Sequence, residues 1–308
     1  MKISVQTGNV VDRHGFEKGY KMLKDAGFEA IDWNLDHAWD CGPIYNGGYQ
    51  KGNCIFEKDL QEVIEHYKEE LEIIRKNGLE ISQAHAPFPA YTPKCQDIVD
   101  YAIGVDIRLI EFCDYIGCPN LIIHGICYEM QDKGKTQADI DRLNDHMYES
   151  LIPVLQRTNV TVCLENIFSW KETAVEGHCQ NAKEASRYIE RLNEKAGKEA
   201  FGFCLDTGHA NLLRKDFMAV IPELGAHLKA LHIHDNDGNF DRHLAPFTGT
   251  IDWFRFIMGL REIGYSHDLS FETFAQVERV KEFSEELENS WLKLIFEIGK
   301  TFRKLIEE

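Results

Sequence analysis

The chain has no cysteine pair spaced as CxxC, no GxGxxG after its first apolar run and no GxxxxGK[ST] anywhere. The nine cysteines are scattered and odd in number, so reduced thiols in a cytoplasmic protein are expected rather than a disulfide framework. The missing glycine motifs weigh against dinucleotide and P-loop phosphate chemistry. No window approaches the roughly 18 uninterrupted apolar residues that a membrane-spanning helix needs. The opening MKISVQTGNV turns polar too soon for the apolar core of a signal peptide. Positive charge is also scarce: 34 Lys and Arg stand against 51 Asp and Glu, for a net charge of −17. Such a surface repels phosphate backbones at long range, so nucleic acid is disfavoured as a partner.

What the sequence does contain is alternation. Strand-like runs cover 2–8, 29–35, 79–85, 120–125, 160–166, 201–209, 228–235 and 268–274. Amphipathic helix-like stretches lie among them at 16–27, 57–78, 103–117, 141–158 and 180–197, with a last one at about 278–306. Several end in Gly just before the next strand, a common helix stop. Successive strand–helix units in 308 residues point to an α/β chain forming a single (β/α)8 TIM barrel as one domain, 1–308. A doubly wound open sheet is the alternative. The long polar, Gly-containing segment 36–53 reads as a loop over the barrel mouth.

Barrel sites form at the C-terminal ends of strands. The third strand ends in His85, the fourth in His124 and the fifth in Glu165. The sixth ends in Asp206, with His209 three residues on, and the seventh in His234, followed by Asp241 and His243. Glu272 ends the eighth. Side chains alternate faces along a strand. Glu165 therefore opposes Val162 and Leu164, Glu272 opposes Leu269 and Phe271, and His232 and His234 oppose Leu231 and Ile233. The apolar set suits the layer under the helices, and the polar set points into the barrel. Buried carboxylates need a compensating partner, and several gathered with a histidine make a cation the natural one. His232, one layer deeper than His234, suits a supporting role. Trp33, Trp39 and Phe88 are candidates to stack on a ligand.

LEN at 164–166, LDTGH at 205–209, HIHDN at 232–236, DRH at 241–243 and FET at 271–273 together resemble the xylose isomerase-like TIM barrel superfamily. That superfamily includes sugar isomerases and epimerases, inosose dehydratase-type lyases and AP endonucleases of the endonuclease IV type. In the isomerase and epimerase branch, the resemblance implies one divalent ion held by Glu165, Asp206, His234 and Glu272. It implies Mn2+ first, with Zn2+, Co2+ or Mg2+ as alternatives. Glu165 and Glu272 then serve also as catalytic proton-transfer groups, through a metal-stabilised enediolate. Substrate-binding roles fall on His209 and Arg242, with His85, His124 and Trp33 as further candidates. In the endonuclease branch, additional zinc ligands fall on His85, His124, His209, Asp241 and His243.

Two departures stand out. Ketose 3-epimerases of this type carry a second Glu six residues after the strand-five ligand, where this chain has Lys171, with Glu172 next to it. The loop that runs to a Pro-Gly-x-Gly-like stretch in relatives reads APFTGTIDW here, so the backbone near Gly249 is expected to differ. The expected partners are a small-molecule sugar or polyol, with or without phosphate, and a second copy of the chain in a homo-oligomer. The alternatives are a dehydratase-like lyase, a zinc AP endonuclease, and a sugar-binding barrel or subunit without turnover.

Overall fold

Short runs rich in Ile, Val, Leu and Phe form buried parallel strands, and the amphipathic stretches between them cover the sheet. The computed structural model describes residues 1–35, 38–127 and 135–308. Residues 36–37 of the expected mouth loop lie outside that set. The principal sheet comprises β1 (Ile3–Gln6), β2 (Ala30–Asn34), β3 (Glu80–His85) and β4 (Asn120–Ile123). It continues with β5 (Thr161–Glu165), β6 (Phe201–Asp206), β7 (Leu228–His232) and β8 (Leu269–Phe271). Neighbours follow chain order from β1 to β7, and β8 lies parallel beside β1, with Ile3 opposite Leu269 and Val5 opposite Phe271. A parallel bridge from Ile233 to Phe271 joins the two ends of the sheet. The fold is the (β/α)8 TIM barrel expected from the alternation.

The main helices are α1 (Phe16–Ala26), α2 (Leu60–Lys76), α3 (Val99–Ile116), α4 (Gln137–Ser150) and α5 (Ala182–Ala196). They are followed by α6 (Phe217–Leu224), α7 (Trp253–Glu262) and α8 (Glu285–Glu307). Gly117 and Gly197 end α3 and α5 with φ of 77° and 71°, a left-handed turn that glycine adopts without steric cost. Helix α4 starts earlier than its apolar pattern suggested, because Thr136 and Asp139 form a capping box. The last helix starts later, at Ser284, whose side chain accepts from the Leu287 N–H. A small antiparallel hairpin after β5, Phe168–Trp170 with Ala174–Glu176, was not anticipated. Among the described residues no helix is long and apolar enough to cross a membrane.

The chain divides into two compact units: residues 1–33, 69–82 and 204–308, and residues 34–68 and 83–203. In the first, the side-chain alternation is visible directly. Phe271 meets Phe302 of α8 with ring centroids 6.3 Å apart, and Trp253 of α7 meets it at 5.4 Å. The opposite strand faces carry small polar groups: Ser82 Oγ donates to Ser4 Oγ at 2.9 Å, and Ser270 Oγ to Asp32 Oδ2 at 3.4 Å. The second unit has its own aromatic core, with Tyr67 5.2 Å from Phe112 and 5.9 Å from Phe56.

Trp33 requires a correction. It alternates with Asp32 on β2, so it lies on the helix-facing side, 1% exposed. Its indole N–H donates to Glu70 Oε1 of α2 at 3.1 Å, and Tyr20 of α1 donates to the same oxygen at 2.5 Å. It is a core residue with its polar atom occupied, not a surface for a ligand. Trp39 is also buried, with its N–H on the Phe88 carbonyl at 3.0 Å and its ring stacked on Tyr101.

Glu70→Ala orphans two buried donors. Denaturant unfolding should show a loss of about 2–4 kcal/mol. Unchanged stability would mean that the Trp33–Glu70–Tyr20 cluster does not hold α1 and α2 to the sheet.

Candidate metal centre

In the first unit, three strand ends converge. Asp206, fully buried, ends β6 and caps the short helix Thr207–Leu212, accepting from the His209 N–H through Oδ1 at 2.7 Å. This leaves Oδ2 facing His234 Nε2 at 2.9 Å. His234 lies two residues beyond β7, and its backbone is clamped by Thr207. The hydroxyl donates to the His234 carbonyl at 2.7 Å and accepts from its N–H at 3.0 Å. The His234 ring lies directly on Gly208, where a Cβ would come within 1.9 Å of Cε1. Glu272 follows β8, with its N–H on the Ile233 carbonyl at 3.0 Å. Ligand atoms of Asp206, His234 and Glu272 lie within 4.8 Å of one another.

The loop after β7 adds a second group. Asp241 Oδ2 lies 2.9 Å from His243 Nε2 and 3.4 Å from His209 Nε2. The His243 ring stacks on His234 at 4.0 Å and on Phe274 at 4.4 Å, and its Nδ1 lies 3.4 Å from Glu272 Oε2. Ligand atoms of His234, Asp241 and His243 also lie within 4.8 Å of one another. Burial works against charge on His243, but Asp241 and Glu272 hold its pKa well above the ordinary imidazole value. Burial likewise works to raise the Glu272 carboxyl, yet the charges of His232, His243 and His234 keep it well below the usual range.

These residues suit a divalent cation. Carboxylate oxygen with imidazole nitrogen is the donor set of Mn2+, Zn2+ and their neighbours. Asp241 Oδ1 and His234 Nδ1 are buried without a hydrogen-bond partner. Buried anions clustered this tightly call for a cation. Arg242 does not supply it: its Nε–H donates to Asp237 Oδ2 at 2.8 Å and its guanidinium lies over Phe240.

In the second unit, His85 ends β3, His124 follows β4 and Glu165 ends β5. His85 Nε2 lies 3.0 Å from His124 Nε2, which is 3.2 Å from Glu165 Oε2. Their ligand atoms fall within 4.8 Å of one another. Phe88, half-buried, places its ring 4.7 Å from His124. Glu172 is exposed on the turn of the hairpin, beside Lys171.

Two supporting residues escaped the sequence reading. Asp235 is buried and accepts from Gly249 N–H at 3.0 Å, Ile251 N–H at 3.2 Å and Trp253 Nε1–H at 3.1 Å, which ties down the loop carrying Asp241 and His243. A Cβ at Gly249 would come within 2.3 Å of Asp235 Oδ1, which explains a glycine in APFTGTIDW. Asp32 points into the barrel from β2, and strand alternation, applied to AIDWN, would have found it.

The sequence profile described as xylose isomerase-like TIM barrel matches residues 20–295. The chain belongs to that family. The protein y4fM of Sinorhizobium fredii is 25% identical over 269 residues, covering 84% of this chain and 81% of its own. Among solved structures, a D-tagatose 3-epimerase-like protein superposes with a TM-score of 0.70 at 17% identity, covering 100% of this chain and 98% of its own. The 3-keto-D-glucoside 4-epimerase YcjR of E. coli does so with 0.66 at 15%, covering 96% and 98%. These likenesses show the family's fold in this chain.

Gly208→Ala should displace the His234 ring and weaken Mn2+ binding by about 10–100-fold, measured by titration calorimetry on metal-free protein. Undiminished affinity would mean that His234 is not a ligand. Folding raises the His243 pKa, so its contribution is full below about 6.5 and is lost as pH rises through the folded value. Metal-free protein should therefore lose thermal stability on the alkaline side, and His243→Gln should flatten that decline.

Proposed function

We propose that the chain is a divalent-metal-dependent isomerase or epimerase acting on a sugar, sugar phosphate or polyol. The observation that carries this reading is the buried convergence of Asp206, His234 and Glu272, with ligand atoms within 4.8 Å of one another. The family resemblance adds Glu165 as fourth ligand and Mn2+ as the leading ion. The names of the two structural relatives, a D-tagatose 3-epimerase-like protein and a 3-keto-D-glucoside 4-epimerase, support the substrate class.

When bound, the ion supplies Lewis acidity to the carbonyl and hydroxyl oxygens of the substrate. Glu165 and Glu272 are assigned to removing and returning the proton beside the carbonyl. His209, held by Asp241, is assigned to a substrate hydroxyl. Arg242, half-exposed with its Nε–H on Asp237, is assigned to a developing oxyanion. With Lys171 where the ketose 3-epimerases carry a second loop carboxylate and Glu172 exposed beside it, a dehydratase-like placement of the proton transfer is the alternative within the same chemistry.

A second reading has its own support. The His85–His124–Glu165 and His234–Asp241–His243 groups each bring ligand atoms within 4.8 Å, a donor set for further zinc ions as in an endonuclease IV-like phosphodiesterase. The net charge of −17 weighs against a DNA substrate.

Metal analysis separates the two: one ion per chain is expected, and three zinc ions would favour the nuclease. His243→Ala should keep that one ion. Glu165→Gln and Glu272→Gln should each lower turnover by about 10²–10⁴-fold. Incubated with candidate ketoses in deuterated water, the metal-loaded protein should exchange a carbon-bound proton. No exchange across a broad sugar panel would leave a binding protein without turnover.

A further inference from the structure

Beneath Glu272 lies a second carboxylate with no role so far. Asp32 is fully buried on the inward face of β2, opposite Gln6 of β1. Its Oδ2 accepts from Ser270 Oγ at 3.4 Å and stands 3.1 Å from His232 Nε2. The other ring nitrogen, Nδ1, stands 3.6 Å from Glu272 Oε2. His232 is 1% exposed, so neither it nor Asp32 reaches a substrate. The imidazole thus bridges two carboxylates, one sealed inside the barrel and one at its rim.

A buried polar cluster of this kind is costly if it only fills space, because an apolar residue of similar volume would avoid desolvating the charge. What an aliphatic side chain cannot do is fix the direction of the neighbouring carboxylate. Glu272 has three side-chain torsions and lies at the end of a short strand. One of its oxygens, Oε2, meets both His243 Nδ1 at 3.4 Å and His232 Nδ1 at 3.6 Å. The His232 ring in turn faces Asp32 of β2, Nε2 to Oδ2, at 3.1 Å.

We propose that Asp32 and His232 are positioning residues for metal binding: Asp32 fixes the His232 ring, and the ring fixes the Glu272 carboxylate in its ligating orientation. The inference rests on the metal reading above and extends the constellation to β2. It makes the two nitrogens of His232 unequal in their effects. Asn places its amide near the position of Nδ1 and keeps a contact to Glu272. Gln places its amide near Nε2 and keeps only the contact to Asp32.

The test is Mn2+ titration calorimetry on metal-free wild type, Asp32→Asn, His232→Asn and His232→Gln, with thermal unfolding in chelator as the control. Asp32→Asn and His232→Gln should weaken Mn2+ binding by about 10–100-fold. His232→Asn should retain more affinity than His232→Gln, an order that space-filling alone does not predict. The visible spectrum of the Co2+-loaded variants should change with the coordination of Glu272. Should folded Asp32→Asn or His232→Gln bind Mn2+ within twofold of wild type, the positioning role is refuted while the metal reading stands. Should wild type bind no divalent ion, the metal reading itself is lost. If Asp32→Asn does not fold, the two His232 variants decide.

Discussion

A carboxylate buried at the end of a strand must be answered by something, and how each one is answered organises this molecule. Asp235 is met by three backbone N–H groups of its loop and an indole N–H, all neutral and fixed, so it serves as an anchor. Glu70 is met by a phenol and an indole and ties two helices to the sheet. Asp206, Asp241 and Glu272 meet imidazoles, with donor atoms crowded into one small volume. Neutral donors satisfy an anion locally. Crowded anions among imidazoles retain an appetite for a cation, and that separates scaffold from site.

The barrel turns this electrostatic demand into geometry. Alternation along each strand sends Phe271 to α8 and Glu272 to the opposite side, so core packing and ligand placement are decided by the same pleat. Groups that sit beyond the strands need extra fastening. His234 is clamped by Thr207 and laid on Gly208, and the loop bearing Asp241 and His243 is held to Asp235. Such fastening keeps the geometry of the strand-end cluster from being blurred by loop motion.

The strand-end residues were legible in one dimension because their signal is local: an apolar run ending in an acid or a histidine. Trp33 was misread for the converse reason, since its aromatic type said nothing of its side of the sheet, while its alternation with Asp32 did. Asp32 was open to that same alternation, but what it meets, Ser270 and His232, lies far along the chain, as do residues 249–253, which meet Asp235. The hairpin after β5 carries little apolar periodicity, and its pairing exposes Glu172 rather than delivering it inward.

The order of strands and helices, the barrel class and the residue types at the strand ends were determined by the sequence alone, because period and residue chemistry are properties of short windows. Tertiary structure decided which of those groups meet. It set Asp206 against His234, stacked His243 on His234, turned Arg242 to Asp237 and placed His232 between Asp32 and Glu272. The contacts of Asp206 with His234 and of His232 with Asp32 and Glu272 join residues tens to hundreds of positions apart and follow from sheet closure, while the nearer pairs depend on how the loop after β7 is anchored, so no local pattern encodes them.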